Sequence, residues 1–125
     1  MCKLVKIQSN TGEDILVADI KADIIKQIIL LASKCSKIEH IYLFGSSLEE
    51  RCKESSDIDL AIISNVTRAK LFHSKSYDEF LDKLYDINID QDYDILQFNS
   101  LDILKRRKEF ICKDILTKGK TIYQR

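Results

Sequence analysis

The chain has 125 residues, of which 45% are hydrophobic and 32% charged, enough for one core and too short for two domains of roughly 150 residues each. Twenty basic and twenty acidic residues cancel, which argues against nucleic-acid binding through overall charge and leaves only a local basic patch open. No run approaches the roughly 20 apolar residues of a membrane span, and residues 1–8 lack the apolar core of a secretion signal, so a cytoplasmic chain without membrane association is expected.

In chain order, Lys3 to Gln8 and Asp14 to Val17 read as short strands around the turn-rich Ser9-Asn10-Thr11-Gly12, a hairpin. From about Asp19 to Ser36, Ile20, Ile24, Ile28, Leu31, Ala32 and Cys35 recur at helical spacing, with Asp19 and Asp23 early in the segment. Ile41 to Phe44 and Ile58 to Ile63 read as buried strands. Ser76-Tyr77-Asp78-Glu79 has the form of a capping box, opening a helix to about Asp86 with Tyr77, Phe80, Leu81, Leu84 and Tyr85 inward. Tyr93 to Phe98 is a third strand of this kind. Ser100 can cap a long helix carrying Leu101, Leu104, Ile111, Ile115 and Leu116, which stops at Lys118-Gly119 before Lys120 to Tyr123 returns to a sheet edge. Alternating helices and strands predict a single α/β (α+β) domain, a small sheet covered by helices.

Three features bear on chemistry. Gly12 fits a hairpin and Gly119 a helix end, which leaves Gly45 at the end of a buried strand. A glycine there, followed by Ser46-Ser47 and a segment that can turn helical from Leu48, lets backbone N–H groups and hydroxyls approach a phosphate. A plain tight turn explains the same residues. Asp57 and Asp59, two apart at a strand start, share one face. Their repulsion is relieved by a hard cation such as Mg²⁺, or by water at a wet strand end. Asp94, among apolar neighbours in the last of these strands, needs a partner; if that strand lies beside Asp57 and Asp59, three carboxylates converge, with Asp90 or Asp92 as alternatives in another register.

Gly45-Ser46, ten intervening residues and Asp57-Ile58-Asp59-Leu60 resemble the signature of the nucleotidyltransferase superfamily, most closely its minimal stand-alone members. The preceding helix and strand, the later strand with Asp94 and the closing Lys118-Gly119-Lys120-Thr121-Ile122-Tyr123 extend the resemblance over about Asp19 to Tyr123, leaving residues 1–18 as an N-terminal extension to a 19–125 domain. The resemblance implies a mixed β-sheet packed against helices and an Mg²⁺-dependent transfer of a nucleoside monophosphate, usually AMP from ATP, to a hydroxyl. It implies that Asp57, Asp59 and Asp94 are catalytic and bind two metal ions, and that Gly45, Ser46 and Ser47 bind the nucleotide. It also implies a protein partner: many minimal members work with HEPN-domain toxins, and in some pairs the nucleotidyltransferase is the antitoxin and attaches AMP to the toxin. Glu49-Glu50 departs from the family, many of whose members carry an Arg-Gly pair there, and favours a rival reading as an inactive antitoxin-like module that neutralises its partner by occlusion. A nucleotide sensor that binds without turnover is a third.

The remaining features have ordinary explanations. Cys2, Cys35, Cys52 and Cys112 are scattered without Cys-x-x-Cys spacing and read as reduced structural thiols, not a disulfide framework or zinc site. Lys105-Arg106-Arg107-Lys108 reads as a solvated helix face. His40 and His73 lack catalytic companions, and Tyr77 and Tyr85 read as core. The acceptor, the base preference and self-association stay open.

Overall fold

A computed structural model describes residues 1–105 and 109–125. Its centre is a four-stranded mixed sheet built from β3 (Ile38–Phe44), β4 (Ile58–Ser64), β5 (Tyr93–Asn99) and β6 (Lys120–Gln124), in the order β5-β4-β3-β6. β3 runs antiparallel to both β4 and β6, and β4 runs parallel to β5. The parallel pair is joined by α2 (Arg68–Phe72) and α3 (Lys75–Ile87), the helical crossover that a parallel connection requires. β6 is an edge strand, as expected from the sequence.

Residues 4–18 form the predicted hairpin, β1 (Leu4–Gln8) with β2 (Asp14–Ala18). At its turn Gly12 has φ +89°, and the turn is fastened to β6: the Asn10 amide nitrogen donates to the Gln124 carbonyl at 2.7 Å, and the Gln124 N–H donates back to Asn10 Oδ1 at 2.8 Å. An asparagine side chain thus stands in for a neighbouring strand at the sheet edge.

Alternation along β4 divides the core. Ile58, Leu60 and Ile62 join Ile25 and Ile28 of α1 (Asp19–Ala32), Tyr77 and Leu84 of α3, and the hairpin residues Ile7, Ile15 and Val17. Ala61 and Ile63 face the other way, into a smaller cluster with Phe98, Ile103 of α4 (Ser100–Lys105), and Cys112 and Ile115 of α5 (Phe110–Lys118). Asp59 belongs to this second face by the same alternation. Among the described residues no helix is long and apolar enough to cross a membrane, and no disulfide joins the four cysteines.

Several boundaries differ from the sequence reading. α1 ends at Ala32, and its buried face is Ala22, Ile25, Ile28, Ile29 and Ala32 with Lys21, while Ile20 is 38% exposed. The stripe is rotated because Lys21 turns inward. α3 is capped by Ser74, whose hydroxyl accepts from the Tyr77 N–H; Ser76 instead contacts Ser74 and Cys35. Tyr85 is exposed and meets Tyr93 edge-on. The predicted long C-terminal helix is two helices. The first is opened by Asn99, whose Oδ1 accepts from the Asp102 N–H at 2.7 Å, while the Ser100 hydroxyl donates to the Ser64 carbonyl. Leu101 and Leu116 face solvent. Arg106, Arg107 and Lys108 of the basic run, and the side chains of Leu104 and Ile111, lie outside the described residues.

Candidate active site

The topology brings four strand termini to one end of the sheet. β3 ends there at Phe44, and β4, β5 and β6 all begin there. Gly45 leaves β3 with φ +76° and opens a 3₁₀ turn, Gly45–Leu48. An added Cβ at Gly45 would lie 2.0 Å from Asp59 Oδ2 and 3.0 Å from its Cγ. The glycine therefore answers two demands, a left-handed backbone and a carboxylate pressed against it. The helix expected from Leu48 onward is absent, since Glu49 is already extended and closes the turn through a bond from its N–H to the Ser46 carbonyl. Ser46 is half-buried. Ser47 is fully buried, and its Oγ has no hydrogen-bond partner among the described residues.

Asp57 is exposed immediately before β4, Asp59 is half-buried within it, and the parallel register sets Asp94 of β5 opposite Asp59. Burial first, then the charges of Asp94 and Asp57, push the Asp59 carboxyl above its usual value. The two neighbouring aspartates thus act on one carboxyl. Asp94 does not sit in a buried strand as its apolar neighbours suggest: β5 is a sheet edge, and Asp94 itself is exposed. Asp92 instead gives its carbonyl to the Ile58 N–H, and Asp90 is held by Asn88 in the preceding turn.

Lys21, invisible as a site residue in the sequence, secures both acidic strand starts. It is 1% exposed, and its ammonium donates to the Glu54 carbonyl (2.9 Å), the Ser56 carbonyl (2.9 Å) and Gln91 Oε1 (2.5 Å). Gln91 in turn donates to the carbonyls of Ser56 and Asp92. All three ammonium protons are used, so Lys21 braces the segments that lead into Asp57 and Asp94. Lys21→Met should leave the Glu54 carbonyl and Gln91 Oε1 without the ammonium and lower stability by at least about 2 kcal/mol, as read by urea unfolding.

Beside Gly45 a cavity of about 440 Å³ opens between the 3₁₀ turn and the C-terminal elements, lined by Phe44, Gly45, Leu48, Glu49, Asp114, Lys118 and Lys120. Glu49 is not a bare charge at its mouth. Arg51 hydrogen-bonds and ion-pairs with it, holding its carboxyl below the usual range. Lys118 pairs with Asp114 at 3.2 Å. The sequence places the nearest cations at Arg51 and Lys53; the fold adds Lys118 and Lys120 from the far end of the chain, residues whose only sequence signal was the closing Lys118-Gly119-Lys120.

Among the described residues no three Asp, Glu, His or Cys side chains form a ready metal cage. The donor chemistry nevertheless fits Mg²⁺, which is normally held by one or two carboxylates together with substrate phosphate oxygens. Asp59, pressed by two like charges, is a carboxylate that such a cation would relieve.

The family model for polymerase beta nucleotidyltransferases matches residues 26–125. No curated protein matches the chain. Among solved structures, a mutant MntA–HpeT toxin–antitoxin complex is similar at 24% identity and a TM-score of 0.55, over 81% of this chain and 73% of that one. A tri-AMPylated Shewanella oneidensis HEPN toxin in complex with the MNT antitoxin is similar at 24% identity and TM-score 0.51, over 84% and 73%. A toxin–antitoxin with AMP-PNP is similar at 25% identity and TM-score 0.53, over 82% and 73%. With the family model matched from within α1 to the C-terminus and the mixed sheet in place, the chain belongs to the polymerase beta nucleotidyltransferase family.

Proposed function

We propose that residues 19–125 form a minimal nucleotidyltransferase domain that moves AMP from ATP to a hydroxyl of a HEPN-type toxin, acting as its antitoxin, with residues 1–18 as an extension. The observation that carries this reading is the strand-end constellation: Gly45 packed on Asp59, with Asp94 opposite it in register. The similar structures include an AMPylated HEPN toxin with its antitoxin and a toxin–antitoxin with AMP-PNP, which supports both the partner and the nucleotide.

In this reading Gly45 and Ser46 lie against the triphosphate, and Ser47, buried beneath them, supports the turn and offers its unpaired hydroxyl when the loop takes up phosphate. Asp57 and Asp59, with Asp94 beside them, would hold the Mg²⁺ ions, whose chemistry is to neutralise the phosphates and the departing pyrophosphate. Asp94, exposed on the edge strand, is the carboxylate an incoming acceptor reaches. It takes the hydroxyl proton as the acceptor oxygen bonds to the α-phosphorus, and the bond from that phosphorus to the bridging oxygen of the β-phosphate breaks to release pyrophosphate.

The test is incubation with Mg²⁺ and a HEPN toxin, using ATP labelled at the α- or the γ-phosphate. We expect α-label on the toxin and none from γ-label. Silencing of the toxin with no label transferred would replace catalysis by occlusion, the reading that Glu49-Glu50, standing where many family members carry Arg-Gly, favours.

A further inference from the structure

We propose that Lys120, at the start of the C-terminal strand, receives the β- and γ-phosphates of the nucleotide, so that β6 completes the triphosphate site. This rests on the function proposed above and extends it to a residue outside the Gly-Ser and aspartate signature.

The inference comes from how charge is divided at the sheet end. The starts of β4 and β5 carry Asp57, Asp59 and Asp94, while the start of β6, on the opposite side of β3, carries Lys120, whose Cα pairs with Leu43 just before the glycine turn. Negative and positive halves thus flank Gly45. A triphosphate needs such a division, with metal-binding carboxylates beside the reacting phosphorus and fixed positive charge along the leaving pyrophosphate.

The chain supplies little positive charge at the turn itself, where Glu49 and Glu50 follow Leu48. Within the cavity Glu49 is neutralised by Arg51, and Asp114 by Lys118. Lys120 lines the same cavity as Gly45, is exposed, and has no ion-pair or hydrogen-bonding side-chain partner among the described residues. Its ammonium is therefore uncommitted, and its backbone is fixed by pairing to β3. Lysine is suited to this task as a compact charge on a flexible stem that can follow a phosphate tail.

The experiment is calorimetric titration of ATP and of AMP, each with Mg²⁺, into the wild type, Lys120→Ala, Lys120→Arg and Lys118→Ala. Lys120→Ala should bind ATP about tenfold or more weakly, because a charge-assisted contact to the tail is lost, and bind AMP within about twofold of wild type. Lys120→Arg should recover most of the ATP affinity. Lys118→Ala, whose charge is already engaged by Asp114, should change ATP affinity less than Lys120→Ala does. Thermal melting of all variants should match wild type, since both side chains are exposed. Unchanged ATP binding by Lys120→Ala, or an equal loss for ATP and AMP, overturns this inference and leaves the proposed function standing. Failure of the wild type to bind ATP with Mg²⁺ overturns both.

Discussion

An Asp59→Asn variant is expected to melt higher than the parent protein at neutral pH and to lose at least about a hundredfold in nucleotidyl transfer. Burial, then Asp94 and Asp57, raise the Asp59 carboxyl above its ordinary value. A raised carboxyl binds its proton more tightly folded than unfolded, so stability falls as pH rises through the window between the two values, and the ionised group carries the penalty above it. The amide removes that penalty and should raise the melting temperature. The same change removes a carboxylate from the proposed metal-binding set and should cost at least about a hundredfold in transfer. Differential scanning calorimetry beside a transfer assay reads both effects. A variant that melts lower and still transfers would contradict this assignment. The wild type should also lose nucleotide binding with Mg²⁺ on acidification at a higher pH than an ordinary carboxyl would give, because the Asp59 carboxyl is raised.

Gly45→Ala should damage both the fold and the site. Its backbone, at φ +76°, would be strained by about 1–3 kcal/mol. The new Cβ would also displace the Asp59 carboxylate, which it meets at 2.0 Å. We expect reduced stability together with at least a tenfold loss of nucleotide binding. Gly12→Ala is the matched control, since its φ is +89° but nothing lies within 4 Å of an added Cβ. It should lose stability through the backbone alone and keep its nucleotide affinity. Equal binding losses in the two variants would mean that Gly45 matters only as a turn residue.

The hairpin, the helix from Asp19, the strands around Gly45 and Asp57, and the return of β6 to a sheet edge were legible because each has local periodicity or turn chemistry. What the sequence could not show was set by tertiary contacts. Lys21 lies outside the apolar stripe of its helix, and only the carbonyls of Glu54 and Ser56 with Gln91 make it a core residue. Asp94 looks buried among Tyr93, Ile95 and Leu96, yet strand order places it on an edge. The split of the C-terminal helix was hidden because Asn99 and Ser100 are both good caps, and Ser100 is drawn to the Ser64 carbonyl. Glu49 looked like an obstacle to phosphate because its pairing with Arg51, two residues on, is a matter of loop shape.

The most direct test of a metal-dependent nucleotide site at the strand ends is a calorimetric titration of AMP-PNP into the protein with Mg²⁺ and with a chelator, repeated on the Asp57→Ala/Asp59→Ala double variant. The expected result is saturable binding in the wild type with Mg²⁺, and binding at least about tenfold weaker without the metal or without the two carboxylates. Equal affinity under all of these conditions would contradict the site built here from Gly45, Asp57, Asp59 and Asp94.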